Sequence, residues 1–224
     1  MKTLNKILTD FSGVTPIFPL PDFVFFPKTV QPFHIFEPRY LEMLSDIQAG
    51  EGLLTIALIK GDADVEQPAI HEVATLSYLH QSQQLKDGSQ NVLITGLVKA
   101  RIDEVESKFA YRRGAITPIV DFDKVTDSKL KMNILLHKFE AILEQSSMEH
   151  NIKVLADESL PVEMLTHMII GALPIKPAEK QKLLELQSLE LRIEILNNFL
   201  ESGLSTFAKL RPFDPIVPSN PLWN

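Results

Sequence analysis

The stretch IFPLPDFVFFPKTVQPFHIFEPRYLEML, residues 17–44, decides the predicted fold. Its first part is dense in Val, Ile and Phe but is interrupted by prolines. Because proline cannot donate to a sheet ladder, this part predicts short strands separated by bends. At Glu37-Pro38-Arg39-Tyr40 the spacing of apolar residues changes to three and four, which is typical of an amphipathic helix. The stretch therefore predicts a change from strand to helix near Pro38.

The charged residues at this junction have two interpretations. As structure, the Glu37 carboxylate is favoured at a helix N-terminus by about 0.3–1 kcal/mol, and Pro38 sets φ for the first turn. Arg39 and Glu42 lie one turn apart and are predicted to pair, for about 0.2–0.5 kcal/mol. In the second interpretation, Glu37 and Arg39 are the acid and base of an enzyme's active site. The residues of the junction are accounted for by the structural interpretation, which we favour.

The rest of the first half of the chain predicts further strands. Residues 23–26, FVFF, have two apolar faces and predict a strand covered on both sides. Short apolar runs follow at residues 53–59 and 73–79. Asp87-Gly88 predicts a hairpin, because glycine supplies the positive φ of a tight turn, and Gly96 predicts a bulge in the strand that follows. Such closely spaced strands predict a small barrel or sandwich.

Beyond about residue 123 the chain predicts helices. Apolar residues recur at helical spacing in residues 132–143 and 162–172. Pro177 suits the first turn of a third helix, and Ser188 is a predicted N-cap for the last one. The Pro-rich end, residues 211–224, predicts an extended tail. The layout is thus β-rich first and helical afterwards.

Composition narrows the classes of function. The chain has 224 residues, of which 45% are hydrophobic, and a formal charge of −7. Acidic residues exceed basic ones in both halves, which argues against a protein that binds nucleic acid through its phosphates. The absence of cysteine excludes disulfides, thiol nucleophiles and cysteine-ligated zinc. No apolar run approaches the length of a membrane span and no secretory signal is evident, so the sequence predicts a cytoplasmic protein without a membrane partner.

Motifs for catalysis or cofactor binding are not found in the sequence. His71-Glu72 begins like the zinc motif H-E-x-x-H, but Thr75 stands where the second histidine is required. No phosphate-binding G-x-x-x-x-G-K-[ST] loop, G-x-S-x-G elbow or G-x-G-x-x-G loop occurs. The acidic run Asp62, Asp64 and Glu66 is interpreted as a solvated turn rather than a cation site. We therefore predict no catalytic residue, no metal and no cofactor.

A set of short motifs resembles one known family. Phe18-Pro19-Leu20, Phe26-Pro27 and the stretch HIFEPRY at residues 34–40 follow, in order, the opening of the LON substrate-binding domain, the amino-terminal domain of Lon proteases. HEVATL at residues 71–76, the hairpin at 87–102 and LPIKPAEKQKLLEL at 173–186 resemble later motifs of that family. Lys28 and Ala74 stand where the family usually has glycine. The resemblance covers residues 15–202, nearly the whole chain.

The resemblance implies an α+β fold in two parts. A PUA-like β-barrel subdomain is expected at residues 1–122 and an α-helical bundle subdomain at 123–204. The prolines beyond the resemblance predict an extended tail at 205–224. Because the ATPase loop is missing and the chain has no room for a protease domain, we expect a free-standing LON domain. Residues expected to carry the family's structural motif are Pro19, Phe26, Pro27, Phe36, Glu37, Pro38 and Arg39.

The resemblance also implies a non-catalytic module that binds polypeptide. The expected partners are polypeptide segments or unfolded proteins, with an ATP-dependent protease as a further candidate. Phe25, Phe33, His34 and Tyr40 are the predicted peptide-binding residues, although the three aromatic ones also suit a core and His34 also suits a structural role. Two alternatives stay open: an RNA-binding PUA-like protein that uses Arg112, and an enzyme that uses Glu37 and Arg39.

Overall fold

The computed structural model describes residues 11–63, 65, 67–145 and 160–204. Asp64 and Glu66 of the predicted acidic turn and the predicted tail at 205–224 lie outside the described residues. The strands are β1 Val14–Leu20, β2 Val30–Ile35, β3 Leu53–Leu58, β4 Val73–Gln84, β5 Gln90–Val105 and β6 Arg112–Pro118. The described helices are α1 Pro38–Ala49, α2 Ser128–Gln145, α3 Val162–Ala172, α4 Pro177–Glu185 and α5 Leu189–Leu204. The fold is α+β, as predicted.

The six strands form one mixed sheet. Their order is β2-β5-β4-β3-β1-β6, and β6 also pairs with β5. The β1–β3 pair is parallel and the other pairs are antiparallel. The β4–β5 hairpin turns at Gly88, whose φ of +88° confirms the turn predicted there. Among the described strands, β2 is the one that pairs with a single neighbour.

Both faces of the sheet are buried at β3. Leu54 and Ile56 pack into one apolar cluster with α1, whereas Leu53 and Ala57 pack into a second cluster on the opposite face. Successive strand residues point to opposite faces, so a strand buried on both sides is mostly apolar. This explains the apolar run that predicted β3, in which Thr55 is the exception and has its hydroxyl 2.8 Å from that of the buried Thr15.

The prediction of a strand at residues 23–26 is wrong. Val24, Phe25 and Phe26 are buried, as their apolar character requires, but this segment pairs with no strand. The carbonyl of Phe25 accepts a bond from the Thr75 hydroxyl at 2.5 Å. Burial therefore arises from side-chain packing rather than from membership of the sheet.

Gly96 marks the bulge predicted in β5. Ser77 of β4 faces Gly96 whereas Leu76 faces Val98, so one residue of β5 has no opposite partner. The Lys28 N–H donates to the Gly96 carbonyl at 2.8 Å, and the Gly96 N–H donates to the Thr29 carbonyl at 2.9 Å. A Cβ at position 96 would lie 2.4 Å from the Phe26 carbonyl oxygen. Glycine is required there because two backbones come into contact.

Contacts divide the chain into two compact units. One contains all six strands with α1 and α4, and the other contains α2, α3 and α5. In the first unit the buried Gln181 of α4 donates to the Val73 carbonyl of β4 at 2.8 Å. No helix in the described ranges is long and apolar enough to cross a membrane.

The second unit is held by an apolar core and by polar contacts between α2 and α5. Lys131 pairs with Glu190, and seven residues later Lys138 donates to Asn197 at 2.7 Å. Equal spacing on both helices shows that α2 and α5 run side by side in the same direction. The buried apolar residues are Met132, Leu135, Leu136, Phe139, Ile142, Leu165, Ile169, Ile170, Leu173, Leu189, Ile193, Leu196 and Leu200.

The start of α5 is capped by two residues. The Ser188 hydroxyl accepts from the Leu191 N–H at 3.0 Å, which confirms the predicted N-cap. Asp123 adds a carboxylate that accepts from the Ser188 hydroxyl at 2.6 Å and from the Leu189 N–H at 2.9 Å. These bonds, led by that of Ser188, lower the pKa of Asp123 below its usual value. The segment that precedes α2 is thereby fastened to α5.

Candidate functional site

The aromatic residues of the opening stretch form one contiguous cluster in the first unit. Phe33 of β2 lies at its centre, with ring centroids 5.7 Å from Phe23, 6.0 Å from Phe18 and 6.0 Å from Phe25. Tyr40 of α1 contacts Phe18 at 4.8 Å. Most of these pairs are edge-to-face, the arrangement that the ring quadrupole favours. The switch from strand to helix therefore brings β2, α1 and the preceding loop together around Phe33.

The four predicted peptide-binding residues differ in their access to solvent. Phe25 and Tyr40 are 3% and 6% exposed and belong to the core. Burial is also the main reason that the pKa of Tyr40 is raised. Phe33 is half-buried, and His34 is exposed with its Nδ1 2.8 Å from Oδ1 of Asn91. A ligand on the surface can reach Phe33 and His34. Phe25 packs directly against Phe33, whereas Tyr40 packs against Phe18, which in turn contacts Phe33.

The residues of the predicted structural motif shape the junction. Pro19 is buried in β1, and Phe26 and Pro27 are buried in the loop that contacts Gly96. Phe36 is half-buried, with its ring centroid 6.0 Å from that of His34. Pro38 begins α1, as predicted.

Glu37 and Arg39 form a local ion pair. Arg39 Nη2 lies 2.8 Å from Glu37 Oε2, and the Arg39 guanidinium lies 4.6 Å from the centre of the Tyr40 ring. The predicted pair of Arg39 with Glu42 is therefore replaced by a pair with Glu37, because the N-cap carboxylate makes no capping bond and turns toward the guanidinium. The two side chains are 33% and 48% exposed, so the pair is worth at most about 1 kcal/mol. The arrangement is that of a surface ion pair at a helix start.

Arg112, the residue on which the RNA alternative depends, is engaged by its own chain. Its guanidinium donates to both carboxylate oxygens of Glu104, at 2.5 and 2.8 Å, and to the Pro68 carbonyl at 2.6 Å. Neighbouring Arg113 lies over the Phe109 ring at 5.4 Å. A phosphate would have to displace these partners, and this weakens the RNA alternative.

The backbone of β2 has an outer edge that the sequence does not single out. The Thr29 carbonyl accepts from the Gly96 N–H of β5 and therefore points toward β5. Since the N–H and carbonyl groups of successive strand residues point to opposite sides, those of Gln31, Phe33 and Ile35 also point toward β5. The backbone groups of Val30, Pro32 and His34 then point away from the sheet, and we call these groups the β2 outer edge. Pro32 lacks an N–H and is tolerated there because that position requires no ladder bond. Pro32 within a strand was the available sequence signal.

A second feature missed at the sequence level is an open cleft of about 440 Å³. It is lined by residues 47–48, 50–53 and 78–82, at the end of α1 and along β4. Gly52 adopts a φ of +74°, and a Cβ there would lie 2.8 Å from the Tyr78 ring. The paired glycines at 50 and 52 were the sequence signal for this tight turn.

Reactive or metal-binding groups are few among the residues that the structure describes. Within the described ranges no group of three or more His, Asp or Glu side chains converges to hold a metal ion. His71, at the start of the incomplete zinc motif, has its Nδ1 3.1 Å from Glu185 of α4. Burial lowers the pKa of Lys180 to about 8. A single perturbed amine does not make a reaction site.

Solved structures share this architecture. The N-terminal domain of the Mycobacterium avium complex Lon protease aligns with a TM-score of 0.67 at 17% identity, over 84% of this chain and 98% of that domain. The Lon N-terminal domain protein of Xanthomonas campestris aligns with a TM-score of 0.61 at 17% identity, over 83% and 98% of the two chains. The fold is that of a Lon N-terminal domain.

The family assignment follows from the sequence match. The chain belongs to the family of the ATP-dependent protease La (LON) substrate-binding domain, whose family model matches residues 14–202. This confirms the predicted resemblance. The Lon protease of Rhizobium meliloti is 26% identical over 199 residues, and that of Bacillus thuringiensis is 24% identical over 217 residues. The chain spans only about a quarter of the length of these relatives, 25% and 27% respectively.

Proposed function

We propose that this chain is a non-catalytic module that binds polypeptide, with the contact made at β2. The observation that carries the proposal is that β2 is paired on one side only and contains the half-buried Phe33. An exposed sheet edge is a common place for an extended peptide to bind. The match to a substrate-binding domain supports the same conclusion.

The proposed ligands are unfolded proteins or exposed apolar segments. A Phe-rich surface fits such ligands because apolar burial is non-directional and tolerates many sequences. An ATP-dependent protease is the proposed protein partner, since the relatives that match are Lon proteases. In this proposal the chain supplies recognition, and peptide-bond cleavage and ATP hydrolysis belong to other polypeptide. The cytoplasmic location stays a prediction.

The proposal includes a finer description of the fold. We propose that the first unit is a PUA-like barrel, supported by the additional β5–β6 pairing, and that the second is a helical bundle, supported by packing among α2, α3 and α5. The proposed boundaries are those of the sequence prediction, barrel at 1–122, bundle at 123–204 and tail at 205–224, with α4 as the exception within the bundle range. Because α4 belongs to the first unit, the barrel part contains α4 in addition to α1.

Titration with an unfolded protein tests the proposal. A fluorescently labelled protein, reduced and alkylated so that it stays unfolded, should bind the 224-residue chain saturably, and its disulfide-intact folded form should not. Val30→Lys places a charge on the edge strand, a substitution that opposes strand addition, and should weaken binding by about tenfold. Val105→Lys is the matched control, because Val30 and Val105 are strand valines that are 51% and 41% exposed. Absence of saturable binding, or equal loss in the two variants, would contradict the proposal.

A further inference from the structure

We propose that the β2 outer edge accepts an extended polypeptide as an additional strand and recognises it with a period of two residues. In this arrangement main-chain bonds hold the peptide, and every second side chain of the peptide lies on the side of Phe33 and Phe23. The inference rests on the proposed function and specifies its ligand: an uncharged, extended segment with apolar residues at alternate positions.

The backbone of the outer edge is suited to strand addition. Val30 and His34 each present an N–H and a carbonyl away from β5, and Pro32 between them presents a carbonyl alone. No described strand pairs with these groups. A peptide laid alongside them would exchange main-chain bonds at every second residue, since alternate residues of a strand point their N–H and carbonyl to opposite sides.

The side chains of β2 divide into two sets. Gln31, Phe33 and Ile35 are half-buried or buried, whereas Val30, Pro32 and His34 are exposed. A new strand would lie about 4.8 Å from β2, and its side chains on the inner face would be cross-strand neighbours of Phe33. Phe23, which is also half-buried, extends this aromatic surface. Alternate side chains of the peptide therefore meet either an aromatic surface or solvent.

The absence of Asp, Glu, Lys and Arg from β2 indicates which segment binds. None of the residues of Val30–Ile35 is Asp, Glu, Lys or Arg, so the edge lacks the charges with which proteins commonly prevent strand addition. It therefore complements an uncharged segment.

Pro32 disfavours a symmetric pairing of β2 with a second copy of this chain. A two-fold pair of β2 strands centred on Pro32 would place two residues without an N–H opposite each other, and both Pro32 carbonyls would lack a donor there. A foreign segment can place a residue with an N–H at that position. The occupant that we infer is therefore a foreign peptide.

Backbone methylation provides the test. The probe is a fluorescent nine-residue peptide in which Val or Phe alternates with Ser, together with a series of peptides that carry one N-methyl group at each internal position. N-methylation removes one donor and adds bulk, so it should weaken binding by about tenfold at every second position and by less than about twofold at the positions between. A control peptide of identical composition has its apolar residues at helical spacing and should bind more weakly.

Amide exchange in the 224-residue chain locates the contact. Saturating peptide should slow hydrogen exchange of the Val30 and His34 amides by about tenfold or more. Gln31 and Phe33 are the internal controls, because their amides already face β5 and should not change. Protection of Val30 and His34 that grows with protein concentration in the absence of peptide would indicate a second copy and overturn the inference.

The outcomes separate the two proposals. If neither the alternating nor the control peptide binds and unfolded protein does not bind, the proposed function fails. If unfolded protein binds but methylation shows no alternation, polypeptide binding stands and the addition of a strand at β2 is refuted.

Discussion

Gly96 shows how one residue without a side chain permits a contact between two backbones. The loop at Phe26 reaches β5 because position 96 has no Cβ, and a Cβ there would come within 2.4 Å of the Phe26 carbonyl oxygen. Contact with backbone leaves nothing flexible to move aside. The loop that carries Phe25 beneath Phe33 therefore depends on this glycine.

Substitution of Gly96 tests that dependence. Gly96→Ala should reduce the free energy of unfolding by about 1–3 kcal/mol, the usual cost of overpacking. Gly171→Ala is the matched control, because Gly171 lies in α3 and, apart from its chain neighbours and its own helix backbone, no atom lies within 4 Å of the added Cβ. Alanine in that helix should be neutral or stabilising by up to about 1 kcal/mol. Urea denaturation measures both variants, and a Gly96→Ala protein as stable as wild type would contradict the close approach.

Asp123 provides a second prediction at a single residue, this time dependent on pH. Its pKa is lowered in the folded chain, so the bonds of its carboxylate stabilise the fold above the unfolded pKa of about 3.9 and are lost as the pH falls through the folded value. Asp123→Ala should cost about 0.5–2 kcal/mol at neutral pH, as loss of a cap usually does.

The pH dependence of unfolding measures this effect. Stability of the wild type should decline more steeply between about pH 5 and pH 3 than that of Asp123→Asn. Asp22→Asn, at an exposed loop position, serves as the control and should follow the wild type. Parallel curves for wild type and Asp123→Asn would contradict a role for the carboxylate as a cap.

At the scale of elements, a buried ion pair joins separate segments of the second unit. Arg192 of α5 is 1% exposed and pairs with Asp121 through two contacts of 3.0 and 3.2 Å. The same guanidinium donates to the Leu186 carbonyl at 2.5 Å and lies 3.2 Å from Nε2 of His167 in α3. The segment before α2, the segment before α5 and α3 thus share one charged group.

Removal of one partner should be costly because the other charge stays buried. Asp121→Ala should destabilise the second unit by about 3 kcal/mol, near the lower end of the range for a broken buried pair because Asp121 itself is 16% exposed. Glu37→Ala removes one partner of the exposed Arg39 pair and should cost less than about 1 kcal/mol. Thermal or chemical unfolding measures the stability of the Asp121→Ala and Glu37→Ala variants. Equal losses of stability would show that burial does not strengthen the Arg192 network.

The elements were predictable to different extents. Periodicity predicted α2, α3 and α5, since their apolar spacing reports a single buried face. Short apolar runs predicted β3 and β4, and the hairpin signal at Asp87-Gly88 predicted the turn into β5. Residues 23–26 misled the same reasoning, because an apolar run reports burial whether or not its backbone joins a ladder. The partner of Arg39 was also mistaken, since several carboxylates lay within reach and local spacing does not choose among them.

At the scale of the whole molecule, charge predicts the outcome with RNA. The chain has a net charge of −7, and Arg112 is held by Glu104. We expect no electrophoretic shift of a single-stranded RNA at low salt, because phosphate neutralisation supplies most of non-specific binding. A shift that Arg112→Glu abolishes would favour the RNA alternative over the proposed function.

The sequence by itself determined the order of strands and helices, the junction at Pro38 and membership of the LON substrate-binding domain family, because each of these depends on local spacing or on an ordered set of short motifs. The tertiary structure decided which residues a ligand can reach. Phe25 and Phe33 are the same residue type in the same stretch, yet one is buried and the other half-exposed. The tertiary structure also decided that β2 lies at the sheet edge. Strand order depends on pairing between residues far apart in the chain and is not encoded by any one segment.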